Sequence, residues 1–211
     1  KILKAAFPID VHADRSAAEI QFGHVYRPTH TNTGWEAARF EAYGHRWVHV
    51  AESGYGVALV TDSTYGHDVG RHTRDGGGTT TTVRLSLVRA PRVPDPAADQ
   101  GRHRFTYALL PGATIAEAVA EGYALNLPLR VVGVRPAAAP PAALVSVDDP
   151  AVVVEAVKLA DDRCGDVVVR LYESLGGRAE TTLRAGFDVA AGELVDLLER
   201  PTPDPRPVPD S

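Results

Sequence analysis

The 211 residues carry a net charge of −5, with 44% hydrophobic and 23% charged side chains, the balance of an ordinary soluble globular protein. That charge gives no electrostatic case for nucleic acid or an anionic membrane as partner, and no apolar run approaches the roughly 20 residues of a membrane helix. The length allows one large β domain or two smaller ones with a sizeable core.

No secretory-signal pattern is read at the N-terminus. The single cysteine, Cys164, cannot form an internal disulfide, which points to a reducing compartment, hence the cytoplasm. Methionine is absent, and KILKAAFPIDV reads as a strand already under way, so a piece of a longer protein or a processed C-terminal part is expected.

Along the chain, Ile2 to Val11 reads as an edge strand or a strand broken at Pro8. Ala17 to Val25 alternates as a second strand with Gly23 at a bulge or turn. A polar loop, Arg27 to Gly34, follows. Glu36 to Tyr43 has helical propensity, but its neighbours favour a strand. Arg46 to Val50 alternates with Trp47 opposite Arg46, Val48 and Val50. Tyr55 to Asp62 is a strongly apolar central strand, and Gly70 to Thr82 (GRHTRDGGGTTTT) has the composition of a surface loop.

Val83 to Arg89 and Arg104 to Leu110 read as strands around a proline-rich connection, Ala90 to Gly101. Thr114 to Ala124 is the best helix, opened by Thr114 with Glu117 three residues on, a capping-box pattern. Leu127 to Val134 reads as a strand and Arg135 to Ala142 as a linker. Short strands at regular spacing follow at Leu144 to Val147, Val152 to Leu159, Asp166 to Glu173 and Arg178 to Phe187, the pattern of a small antiparallel sandwich. The tail from Arg200 to Ser211 is too proline-rich to pack and is expected to be disordered. The class is all-β, in two units at about residues 1–126 and 127–199.

Eight histidines invite a metal reading: His12, His24, His30, His45, His49, His67, His72 and His103. His45 and His49 share one strand face but stand about 13 Å apart at strand rise, too far for one ion. No HExxH or CxxC cluster exists, so structural or surface roles are expected and no metal site is assigned. No GxSxG elbow or P-loop occurs, and Cys164 sits in a polar turn. Glu36, Glu41, Glu52 and Asp62 are the acids of the most distinctive stretch, but none stands above a surface acid without geometry. No catalytic residue is assigned. Trp35, Tyr43, Trp47, Tyr55 and Tyr65 could stack on a sugar, although Trp47 and Tyr55 read first as core fillers.

The motifs YRPTHTNTGWEAARFE, GHRWVHVAESGYGVALVTDSTYGHDV, LSLVRAPRVPDPAADQGRHRFTYALLPG and YALNLPLRV resemble consecutive motifs of glycoside hydrolase family 38, the α-mannosidases, in their C-terminal region. LVSVDDPAVVVEAVKLADDRCGDVVVRLYESLGGRAETTL resembles the terminal β-sandwich of the same enzymes. Departures are Gly34 where serine is frequent, Val60-Thr61 where Leu-Asn is commoner, and the longer loop at Gly70 to Thr82.

The resemblance implies the latter part of a galactose-mutarotase-like β-supersandwich over residues 1–126, then a small β-sandwich over 127–199. It implies a parent that is a retaining α-mannosidase, with zinc and the nucleophile in an N-terminal β/α domain that these residues do not contain. No cofactor is then expected in this chain. Expected partners are that catalytic domain and mannose-containing oligosaccharides, with homo-oligomerisation of the parent left open. Arg27, His30, Asn32 and Trp35 are the candidate substrate-adjacent residues, because their loop mixes hydrogen-bonding groups with one aromatic between strands. A free-standing carbohydrate-binding module and an oligomerisation domain are the alternatives.

Overall fold

A computed structural model describes residues 2–131, 133 and 143–202. They contain thirteen strands, all paired antiparallel, and two helices, so the all-β expectation holds. The chain divides into two units, Lys1–Val131 with Ser174–Gly176, and Val132–Glu173 with Gly177–Ser211.

In the first unit, β1 (Ile2–Ile9), β4 (Ala42–Tyr43), β7 (Gly66–Thr73) and β8 (Thr79–Arg89) form one sheet in the order β1-β8-β7-β4. Pro8 is tolerated in β1 because this is an edge strand, with only one neighbour to bond. A second sheet joins β2 (Arg15–Ile20), β3 (Gly23–Pro28), β5 (Trp47–Glu52), β6 (Tyr55–Thr61) and β9 (Tyr107–Pro111) in the order β3-β2-β5-β6-β9. The core lies between the sheets: Ile9, Val83 and Leu85 meet Ala18, Val48, Val50, Val57 and Leu59. Full burial of a side chain such as Leu59 or Leu85 contributes roughly 1.5–3 kcal/mol.

The centre of the second sheet is buried on both faces. Trp47, Val48, His49 and Val50 are all buried, so the alternation of β5 separates two covered faces rather than core from solvent. The outer cover is helix α2 (Ile115–Asn126), capped by Thr114 and Glu117 as the sequence predicts. A Cβ on Gly122 would stand 3.1 Å from Trp47 Cδ1, which measures how closely helix and sheet approach. Buried Glu19 accepts from Arg46 Nη2 at 2.6 Å and from the Arg46 amide at 2.7 Å, and the Arg46 guanidinium lies 3.7 Å from the Tyr123 ring centroid on α2.

Several expectations are corrected. Ala17 to Val25 is not one strand but a hairpin: β2 and β3 pair through Ile20↔Gly23 around a two-residue turn in which Phe22 has φ +56°. Glu36 to Tyr43 is only in part a strand: its first residues belong to a short helix, α1 (Gly34–Ala37), and only its last two form β4. Most of Gly70 to Thr82 is strand, because β7 and β8 pair out to Thr73↔Thr79 and leave only residues 74–78 as the turn. Leu127 to Val131 carries no strand. The rest of that segment falls mostly outside the described residues, as do the linker reading at 135–142 and most of the disordered-tail reading (203–211).

The second unit holds two small sheets. β10 (Val145–Val147) pairs β13 (Leu183–Ala185), and β11 (Val152–Leu159) pairs β12 (Val167–Glu173) across the loop that carries exposed Cys164. Of the expected strand at Arg178 to Phe187, only β13 forms. Lys158 and Arg170 both reach Glu199, which pins the segment after β13 to the β11–β12 hairpin. No described residue of this unit is fully buried.

Candidate functional site

The distinctive loop begins where β3 ends. Its base is fixed by Thr29, whose amide donates to the Asp14 carbonyl at 3.1 Å and whose hydroxyl donates to the Ala13 carbonyl at 2.6 Å. The next turn is fixed by a capping box. The Thr33 hydroxyl accepts from the Glu36 amide at 3.2 Å, and Glu36 accepts from the Thr33 amide at 2.9 Å. That backbone hydrogen bond, with His30 adding, holds the Glu36 carboxyl below its ordinary range. His30 Nδ1 stands 3.2 Å from the same carboxylate.

The structure separates the four candidate residues. Arg27 and His30 line a small pocket of about 50 Å³, together with Ser16, Thr29, Arg39, His67 and Asp68 among others. Asn32 is exposed outside it, and Trp35 is carried outward on α1 with 87% of its surface free. The Arg27 guanidinium lies 4.8 Å from the Tyr43 ring centroid, and its Nη1 is buried without a hydrogen-bond partner. Burial pulls the Arg27 pKa down, Tyr43 offsets part of this, and the nearby Arg39 charge adds to the lowering.

His67, Asp68 and Arg39 are the pocket residues that sequence reasoning missed. His67 is 2% exposed, and burial, with the Arg27 charge adding and the Tyr65 backbone partly opposing, pushes its pKa down to about 4. It is therefore neutral near pH 7. Asp68 is paired with Lys4 and Arg84.

The other aromatics divide as well. Trp47 is 1% exposed and is a core filler under α2, whereas Tyr55 is 45% exposed and is not. His45 packs against Tyr65 with the rings tilted at 50°, while His49 turns its Nε2 to the Ala113 carbonyl at 2.7 Å. Among the described residues, no group of three or more His, Cys, Asp or Glu side chains is arranged to hold a metal ion.

Residues 1–97 match the family model for the glycosyl hydrolases family 38 C-terminal domain, and residues 151–210 match that for the family 38 C-terminal beta sandwich domain. The chain belongs to the C-terminal region of glycosyl hydrolase family 38. Alpha-mannosidase 2C1 of Homo sapiens is 43% identical over 209 residues, covering 96% of this chain and 19% of the relative. The alpha-mannosidase of Saccharomyces cerevisiae is 31% identical over 215 residues, with 94% and 19% covered. The crystal structure of an alpha-mannosidase from Enterococcus faecalis superposes with a TM-score of 0.72 at 19% identity, over 95% of this chain and 23% of that one, a likeness of fold. The family 38 chain described here thus spans about a fifth of the length of the curated relatives it matches.

Proposed function

We propose that the chain forms the non-catalytic C-terminal β region of a retaining, zinc-dependent α-mannosidase that removes terminal α-linked mannose from oligosaccharides in the cytoplasm. The observation that carries this reading is collinearity: relatives named as alpha-mannosidases align over 96% of the chain with only 19% of their own length. The rest of their length leaves ample room for a separate catalytic domain. In that parent the second carboxyl group would act as acid and then base around a glycosyl-enzyme intermediate, and zinc would hold the terminal mannose in the other domain.

The chain's own part is to pack on that domain and present the Arg27–Trp35 loop towards its cleft. Trp35 supports this role, since a fully capped helical turn holds an indole almost wholly in the open, where an apolar sugar face could meet it. The test is Trp35→Ala in the full-length enzyme. Turnover of an aryl α-mannoside should fall without loss of folded protein, and unchanged kinetics would remove the loop from the cleft. Release of p-nitrophenol from p-nitrophenyl α-mannoside by the present chain alone would overturn the non-catalytic assignment.

A further inference from the structure

Arg27 and Arg39 line the pocket beneath the loop, and the two carboxylates that line it with them, Glu36 and Asp68, are already engaged. Glu36 is engaged by the Thr33 amide and His30, and Asp68 by Lys4 and Arg84. The nearby Glu41 is directed towards Arg89, at 3.8 Å. Arg27 and Arg39 both line the pocket, and neither has an ion-pair partner among the described residues. They are close enough for one charge to act on the other, and Arg27 Nη1 is buried without an acceptor. Buried guanidinium N–H groups are ordinarily paired, most strongly by a planar carboxylate.

Size decides what the acceptor is. Small-molecule pockets run to about 300–1,000 Å³, whereas this one has about 50 Å³, on the scale of one or two water molecules. A pyranose ring does not fit; a single carboxylate does.

We infer that this pocket is a carboxylate socket, filled by an Asp or Glu side chain from outside the present sequence and clamped by Arg27 and Arg39. This rests on the reading that the chain is one part of a longer α-mannosidase, and it adds a point of attachment to that reading. The socket lies directly under the base of the Arg27–Trp35 loop, so an acid seated there would fix the loop against the domain that supplies it.

Acetate is the probe, since it reproduces the Asp side-chain terminus. Melting of the chain at pH 7 should rise saturably with sodium acetate and not with sodium chloride at equal ionic strength. Arg27→Gln and, separately, Arg39→Gln should each weaken the acetate midpoint by about tenfold or more, as expected for loss of a charge-assisted clamp. Arg39 is exposed, so its variant tests the socket even if Arg27→Gln fails to fold. In the full-length enzyme the acetate response should vanish because the socket is already filled.

Equal responses to acetate and chloride, or an unchanged midpoint in Arg39→Gln, would overturn the socket. An acetate response that persists in the full-length enzyme would overturn the side-chain occupant in favour of a free small carboxylate. Either failure leaves α-mannosidase activity of the full-length protein intact, so it is distinguishable from failure of the functional reading.

Discussion

Acidification should loosen the first unit well above the pH at which its carboxylates protonate, and His67 is the residue to blame. It sits in β7 opposite Leu85 of β8 and Ala42 of β4, is 2% exposed, and titrates at about 4 instead of 6.5. The unfolded chain therefore binds a proton between about pH 6.5 and 4 that the folded chain refuses, and stability falls as pH falls through that window. A shift of about two and a half units at 1.36 kcal/mol each gives a loss of about 3 kcal/mol between neutrality and pH 4.

His49, also lowered by burial, acts in the same direction, so the clean quantity is the difference between proteins. His67→Gln should be less stable than the parent at pH 7 but should lose about 3 kcal/mol less on going to pH 4. Urea unfolding followed by the fluorescence of buried Trp47 reports on the right unit. Parallel pH profiles for parent and variant, or a parent flat between pH 6.5 and 4, would refute the argument.

Two further substitutions test how the second sheet is locked to α2. Glu19→Ala leaves the Arg46 guanidinium without its carboxylate in a largely buried site and should cost about 3–5 kcal/mol by denaturant unfolding, while remote surface acids such as Asp75 should cost almost nothing when replaced. Gly56→Ala would place a Cβ 2.4 Å from His49 Nε2 and 2.6 Å from the Ala113 carbonyl oxygen. A backbone carbonyl cannot swing aside, so the variant should lose about 1–3 kcal/mol in thermal unfolding and the His49–Ala113 hydrogen bond, visible as a changed imidazole resonance.

What could be read from residues alone follows from how local each signal is. The Thr114–Glu117 box marked α2 because twelve helical residues with an apolar face followed it. The same box at Thr33–Glu36 opened only four residues, too few for any periodicity, and was missed. Thr79 to Thr82 looked like loop by composition, yet pairing with both β1 and β7 holds it in a ladder: tertiary context overrode a weak β signal. Phe22 in the left-handed region is the converse case, a turn made by a residue that does not advertise one.

The site shows the same division. Arg27 and His30 were found because they are neighbours in a distinctive stretch. Their companions could not be, since His67 and Asp68 lie about 40 residues away on β7, which the β4–β7 pairing sets beside Ala42 of the pocket wall. That pairing also changes what the loop means. From composition it is a polar loop carrying one aromatic. In three dimensions it has two sides, with Arg27 and His30 turned into a small charged pocket and Trp35 turned out to solvent. A loop built this way can be clamped from beneath by one group while its outer face meets another, and substitutions on the two sides should separate attachment from substrate contact.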